Sequence, residues 1–337
     1  MQTQSDRGTM SCCSRKPERK AAMTSQQEQP SWITSAWGVV PLATISCALW
    51  GSAFAFVKLG YELFRVSADS PAEQILFAGM RFTLAGLLVI AGISLARRRL
   101  VLPTRTDLVP IALLSLCQTT LQYAPFYLGL AHARGINASL IEGTSTFLGI
   151  AVAALVFRQE KLTARKMLGC VLGFAGVALV VLRGGDSLGA FTLQGEGLVF
   201  ASLVAVAFSA CLIRGYGANR DPVMLAGWQF VVGGLTLAAI GTLFGARPNI
   251  PSPSAAGVLT YLAALSAIAY SLWSLLLKHN PVSRVAMFEF LIPVFGVIFS
   301  SVFLGESLQG GQLVTVMVAL ALIGAGTVVV YGGAREE

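Results

Sequence analysis

The sequence predicts an all-α membrane protein with ten transmembrane helices in two inverted five-helix repeats. Three observations predict this fold class: the composition, the number of long apolar segments, and a motif that recurs at a constant offset. Of the 337 residues, 55% are hydrophobic and only 12% are charged, and the mean hydropathy is +0.71. Soluble domains use about 25% charged residues. The chain is therefore expected to lie in a lipid bilayer.

The ten helices follow from dividing the chain at its polar and Gly/Pro-rich breaks, because roughly 17–25 apolar residues cross a bilayer. The breaks read, in order, RVSADSP, RRRLVLPTRT, HARG, RQEKLT, GGDSLGAF, GYGANRD, ARPNIPSPS, KHNPV and GESLQG. Helices 1–10 are therefore expected at about 37–59, 73–96, 107–131, 136–157, 164–183, 194–214, 222–245, 255–277, 283–304 and 311–332.

A repeat relates the two halves of the chain. AGMRFTLAGL at 78–87 and AGWQFVVGGL at 226–235 share five of ten positions at an offset of 148 residues, and Gly176 and Gly324 keep the same offset. Each half then holds five helices, and an odd number inverts the second half in the membrane. The expected organisation is a disordered cytoplasmic tail over 1–36, a first repeat over 37–183 and an inverted second repeat over 194–332.

The basic residues indicate the orientation. With the N-terminus in the cytoplasm, the inner segments carry 18 Lys and Arg residues and the outer loops carry 4. Such a bias is typical of cytoplasmic loops. Both termini are therefore expected in the cytoplasm. The net charge of +8 is attributed to topology and to contact with anionic lipid headgroups, not to nucleic-acid binding.

Four stretches carry a resemblance to a known family. They are ALWGSAFAFVKLG at 48–60, AGMRFTLAGL at 78–87, EKLTARKMLGCVLGFAG at 160–176 and FLIPVFGVIFSSVFLGESL at 290–308. They resemble the EamA-like branch of the drug/metabolite transporter superfamily. This resemblance implies a central cavity formed mainly by helices 1, 3, 4, 6, 8 and 9, with helices 5 and 10 as peripheral scaffold. It also implies export of metabolites, commonly amino acids and related compounds, across a bacterial inner membrane.

The helices contain few charged residues, and a charge within a bilayer costs at least about 2.5–3.5 kcal/mol by insertion scales. Arg81 and Glu142 are expected at similar depth, so Arg81 is expected to pair with Glu142 or with backbone carbonyls and brace the first repeat. The alternative is that Arg81 attracts a substrate carboxylate. Lys58 is expected at the end of helix 1, where it reaches the outer interface.

Glu289 is the near counterpart of Glu142, but its repeat carries Gln229 in place of Arg81. Without that cation, Glu289 is a candidate for proton coupling or for binding a substrate amine. The alternative is a neutral carboxyl that forms a hydrogen bond within the bundle. Pro293 of helix 9 aligns with Phe147 of helix 4, so a bend is expected in helix 9 without a matching bend in helix 4.

Aromatic and polar side chains within the spans are candidates for the wall of a solute cavity. They suit a small amphipathic solute, with cation–π contact to an amine, although a packing interface is the alternative for each. The candidates are Trp50 of helix 1, Gln122, Tyr123 and Tyr127 of helix 3, and Tyr270 and Trp273 of helix 8.

Two further pairs of residues are assigned structural roles. Glu160 and Glu306 each precede a helix and are expected to cap its N-terminus. Gly169 and Gly173 suggest close helix packing or a homodimer.

No nucleotide-binding, metal-binding or hydrolase motif is present, so no cofactor, metal or catalytic residue is expected. The expected function is secondary active transport of small metabolites by alternating access. The alternatives are a uniporter or exchanger of another solute, such as a nucleotide sugar, and a membrane receptor that does not transport.

Overall fold

The computed structural model describes residues 31–158, 161–183, 191–216, 220–280, 285–308 and 310–331, and every regular element among them is helical. Most of the predicted disordered tail, residues 1–30, lies outside these ranges, as does Glu160. We number the helices α1–α10 to match the ten predicted segments. A short turn of helix, Ser31–Thr34, precedes them.

The first five helices lie close to their predicted positions. α1 spans Ala36–Phe64 and α2 spans Pro71–Ala96. α3 consists of Leu108–Leu114, a π-helical segment Ser115–Thr120, and Leu121–His132. α4 consists of Gly135–Glu142 and Ser145–Leu155, and α5 spans Ala164–Arg183.

The second five helices follow the same order. α6 begins with a π-helical turn, Leu193–Gly197, and continues as Leu198–Tyr216. α7 spans Pro222–Leu243, α8 spans Pro253–His279, α9 spans Leu291–Leu304 and α10 spans Gly311–Tyr331. Proline in the first turn of α2, α7 and α8 fits a position where no backbone donor is needed.

Seven helices among the described residues are long and apolar enough to cross a membrane. They are α1, α2, α4, α6, α7, α8 and α10, and the shorter α9 has 14 residues. α9 begins eight residues later than predicted, because residues 287–290 form turns. Glu289 consequently lies in the turn that leads into α9 and not within a helix.

The expected asymmetry between α4 and α9 is wrong. α4 is interrupted at Gly143 and Thr144, which form a turn between its two halves. Pro293 is the third residue of α9, so its ring occupies the first helical turn, where a missing N–H costs no hydrogen bond. Both elements therefore have a break at corresponding positions, and a glutamate lies beside each break.

Helices α2 and α7 pack against each other in antiparallel orientation. A Cβ atom added to Gly79 would lie 2.4 Å from the backbone nitrogen of Ala238, and one added to Gly227 would lie 3.0 Å from Ile90. Adding 148 to position 79 gives 227, and subtracting 148 from position 238 gives 90. The repeat therefore relates one contact to the other, and the crossing of the two helices is symmetric.

Two further helix pairs run antiparallel. In α4 and α9, Gly135 faces Ser300 and Ser139 faces Gly296. In α5 and α10, a Cβ atom on Gly169 would lie 2.4 Å from the side chain of Val330, and the neighbouring Gly173 contacts Gly326 in the same crossing. The Gly169 and Gly173 pair therefore serves close packing within the chain.

Candidate functional site

Arg81 is buried in the middle of the bundle, with 2% of its surface exposed. Its Nε donates to the backbone oxygen of Leu262 at 3.2 Å and to Ser266 Oγ at 3.2 Å, and its second terminal nitrogen donates to Ser266 Oγ at 2.9 Å. The first terminal nitrogen donates to Tyr127 Oη at 2.8 Å. The cation thus joins α2 to α3 and α8.

The expected ion pair between Arg81 and Glu142 is corrected by these contacts. None of the acceptors of Arg81 is a carboxylate, and one of them is the backbone carbonyl that the sequence offered as the alternative. All three guanidinium nitrogens are occupied by protein acceptors. The geometry therefore leaves Arg81 poorly placed to bind a substrate carboxylate.

Gln229, the counterpart of Arg81, makes a matching contact in the other half. Its Nε2 donates to Gln118 Oε1 at 2.6 Å, and Ser115 Oγ donates to the backbone oxygen of Gln229 at 3.1 Å. Gln118 and Ser266 are themselves 148 residues apart. Ser266 was not predicted as the partner of Arg81, and the offset relates its contact to the contact between Gln229 and Gln118.

Four of the predicted cavity residues lie together. The Trp50 ring lies 5.3 Å from that of Tyr270 and 5.1 Å from that of Trp273, in edge-on orientations. The hydroxyl groups of Tyr123 and Tyr270 are 2.9 Å apart and hydrogen-bonded. Trp50, Tyr270 and Trp273 each retain partial exposure. We call these four residues the aromatic cluster.

Gln122 and Tyr127 differ in their environments. The Gln122 side chain is half-buried and forms a hydrogen bond with Tyr270, so it adjoins the aromatic cluster. Tyr127 is fully buried and is occupied by Arg81. Tyr127 therefore packs against Tyr123 of the aromatic cluster, with its hydroxyl group bound to Arg81. Two buried polar atoms at the cluster, Trp50 Nε1 and Gln122 Oε1, have no hydrogen-bond partner among the described residues.

Glu142 and Glu289 lie on the two broken elements, close enough for their carboxyl groups to interact electrostatically. Thr146 Oγ1 donates a short hydrogen bond to Glu289 Oε2. Glu142 also interacts electrostatically with Tyr123 and Tyr270. Both glutamate residues are partly buried. Glu142 therefore lies beside the aromatic cluster, and Glu289 lies beside Glu142.

Lys58 does not end the first helix as expected, because α1 continues to Phe64. Its Nζ donates to the backbone oxygen of Ala133 at 2.7 Å and to that of Leu130 at 3.4 Å. These carbonyls end α3, where a cation is favoured by the helix dipole. The signal that could have indicated this role is the placement of Lys58 nearly two turns before the end of an apolar helix.

Glu306 caps a helix, but not the one that follows it. Its Oε1 accepts from the backbone N–H of Gly135 at 2.8 Å, and its Oε2 accepts from that of Ile136 at 2.9 Å. These donors begin α4 in the first half of the chain. Glu306, from the second half of the chain, therefore caps a helix of the first half and not α10.

Comparisons with known proteins agree with this architecture. The sequence pattern of the EamA-like transporter family matches residues 37–182 and 193–331. An uncharacterized transporter of Archaeoglobus fulgidus is 28% identical over 268 residues, which cover 79% of this chain and 89% of that protein.

Two relatives have more specific names. The S-adenosylmethionine/S-adenosylhomocysteine transporter of Chlamydia trachomatis is 26% identical and covers 82% of this chain and 84% of its own length. A probable amino-acid metabolite efflux pump of Salmonella typhimurium is 26% identical and covers 83% and 91%. One crystal structure, 21% identical, superposes with a TM-score of 0.64 over 89% of this chain and 99% of its own, which supports the fold.

Proposed function

Because the chain belongs to the EamA-like transporter family, we propose that this membrane transporter exports small amine-bearing metabolites by alternating access. The proposed architecture is two inverted repeats, 37–183 and 194–332, with ten spans and both termini in the cytoplasm. The antiparallel packing of α2 with α7, α4 with α9 and α5 with α10 supports it. Two inverted copies can exchange inequivalent shapes and open a central site to each side in turn.

One observation carries the choice of solute: the aromatic cluster adjoins two carboxyl groups, while the nearby cation is occupied. Trp50, Tyr270 and Trp273 offer ring faces and edges, and Glu142 and Glu289 offer carboxyl groups of which one can be ionised. Cations are attracted to such rings and to carboxylates. Arg81 binds protein acceptors instead. The proposed cavity therefore favours an amine over a carboxylate.

The names of two relatives are compatible with this choice. One is named for S-adenosylmethionine and S-adenosylhomocysteine, and the other for amino-acid metabolites. S-adenosylmethionine and S-adenosylhomocysteine each contain an amino group. A nucleotide sugar is the weaker candidate, because its phosphates require free cations, whereas both Arg81 and Lys58 donate to protein oxygens.

We propose further that Glu289 binds and releases the coupling proton. Thr146 orients one of its oxygens, and Glu142 is the nearby charge that makes simultaneous ionisation of both carboxyl groups unfavourable. In this scheme Glu289 gives up its proton when a protonated amine binds. Each cycle then exchanges one proton for one amine cation.

The experiment is a flux measurement on the purified protein in liposomes, with amines, amino acids and organic acids, with and without a pH gradient. We expect saturable flux of amine-bearing solutes that the gradient accelerates. Trp50→Ala should lower that flux at least tenfold. Trp37→Ala, on the same helix but 92% exposed, is the matched control and should leave it unchanged.

Other outcomes assign the protein differently. Flux of organic acids with no flux of amines would overturn the proposed solute class. Binding of a solute without any flux would indicate a receptor. Glu289→Gln should abolish the gradient dependence while leaving downhill exchange measurable, and an unaltered gradient dependence would remove the proton proposal.

A further inference from the structure

The turn between α3 and α4, residues 133–134, is held by charged side chains from distant parts of the chain. Lys58 of α1 donates to the carbonyls that end α3, at Leu130 and Ala133. Glu306, which follows α9, accepts from the first two N–H groups of α4, at Gly135 and Ile136. Each charge therefore meets the helix end that its sign favours.

The contact requires close approach of α4 to α9. A Cβ atom added to Gly135 would lie 2.4 Å from Ser300 Oγ, so a larger residue at this position would require Ser300 or the α4 terminus to move. Lys58 and Glu306 also attract each other electrostatically. A third element, α6, adds a hydrogen bond of 3.1 Å from Asn137 Nδ2 to Glu196 Oε1.

These contacts lie at one end of the helices that contribute residues to the proposed cavity. α1, α4 and α9 supply Trp50, Glu142 and the turn that carries Glu289, and the same elements meet at the α3–α4 turn. In the predicted topology this is the outer end. Any route for a solute between α4 and α9 at this end requires that the α4 terminus separate from Glu306.

We propose that Glu306, assisted by Lys58, is a latch that holds the outer end closed and must release α4 before solute leaves. This proposal rests on the proposed alternating access. The carboxylate is a positioning group in this role and does not touch the solute. A charge-assisted pair of hydrogen bonds is strong enough to bias two states and weak enough to break in each cycle.

The test measures distances between spin labels on the full chain in lipid nanodiscs. Labels are attached at His132 and Ser307, both exposed and on opposite sides of the latch, in a background without other cysteines. Glu306→Gln should raise the population of the longer distance about tenfold, since it removes the charge and one acceptor. Glu73→Gln, an exposed carboxyl in the first turn of α2, is the matched control and should leave the distances unchanged.

A second variant is expected to open the latch without altering the Glu306 carboxylate. Gly135→Ala should lengthen the distance because of its contact with Ser300, and adding Ser300→Ala should restore the short distance. Thermal unfolding of each variant shows whether it is folded. A folded Glu306→Gln protein with the distance distribution of the parent would overturn the latch.

Flux measurements separate the latch from the proposed function. Longer distances together with altered flux support both proposals. If Glu306→Gln lengthens the distances but the parent shows no flux of any solute, the latch is supported and the transport mechanism is overturned. Unchanged distances in a protein that transports normally overturn the latch alone.

Discussion

At the scale of single residues, Arg81 shows how a buried cation is accommodated among apolar helices. Arg81 was recognisable because a permanent cation in an apolar segment must be compensated. Its acceptors lie on α3 and α8, 46 and 181–185 residues away along the chain. Local sequence spacing does not report contacts at such separations. Of the two kinds of partner expected, Glu142 was wrong, and a backbone carbonyl, that of Leu262, is confirmed.

Arg81→Gln tests whether this residue braces the bundle. The substitution removes the charge and leaves Tyr127 Oη and Ser266 Oγ with fewer partners, and buried hydrogen bonds to charged groups contribute about 1.5–3 kcal/mol each. We expect a thermal midpoint lower by about 5 °C or more, with solute affinity retained in the folded fraction. The measurement is thermal unfolding in detergent alongside solute binding.

Thr242→Val is the control for the loss of a polar side chain, because Thr242 is exposed and its side-chain hydrogen bonds go to carbonyls of its own helix. It should leave both the thermal midpoint and solute binding unchanged. A parental thermal midpoint combined with lost binding in Arg81→Gln would instead place this cation in contact with the solute.

At the scale of elements, the hydrophobic pattern predicted where the helices lie but not where they break. Continuous apolar runs give no signal for the turn at Gly143 and Thr144, because both residues also occur within helices. The turn over residues 287–290 was missed for the same reason. Pro293 was informative about position, since proline is tolerated in a first turn, but it was assigned to a kink inside a longer helix.

The crossing of α2 with α7 can be tested by two glycine substitutions in one helix. Gly79→Ala places a Cβ atom 2.4 Å from the backbone of Ala238, whereas a Cβ atom at Gly92 meets nothing within 4 Å. Alanine is the better helix former by about 1 kcal/mol, and overpacking costs about 1–3 kcal/mol. Gly79→Ala should therefore destabilise the protein, while Gly92→Ala should stabilise it slightly.

The readout is the thermal midpoint of both variants in the same detergent. Equal shifts in the two variants would show that α2 does not approach α7 as closely as the structure has it. A deficit confined to Gly79→Ala supports the symmetric crossing and, through it, the inverted arrangement of the halves.

At the scale of the whole molecule, the two halves are joined by polar contacts at both ends of the bundle. The Glu306 contact lies at one end. At the other, Arg97 pairs with Asp221, and Arg220 Nε donates to Asp107 Oδ1 at 3.1 Å. These pairs connect the α2–α3 loop to the α6–α7 loop. They lie outside the apolar spans and were not predicted, because charges in loops carry no periodic signal.

Asp107 makes stability at this end depend on pH. The Thr104 hydroxyl donates to its carboxylate at 2.6 Å, and this bond, with the Thr104 backbone N–H and Arg220, lowers the pKa of Asp107. The folded protein thus binds the proton less readily than the unfolded chain. The stabilisation is fully present above the ordinary aspartate pKa of about 3.9 and is lost as pH falls through the lower folded value.

We therefore expect Asp107→Asn to lower the thermal midpoint at pH 7 and to flatten its decline as the pH falls below about 4. Asp69→Asn, an exposed carboxyl in the α1–α2 loop, is the matched control and should follow the parent at every pH. Thermal unfolding across that pH range is the measurement. If Asp107→Asn shows the same midpoint as the parent at pH 7, the Asp107 contacts with Thr104 and Arg220 do not hold these loops together in the membrane-extracted protein.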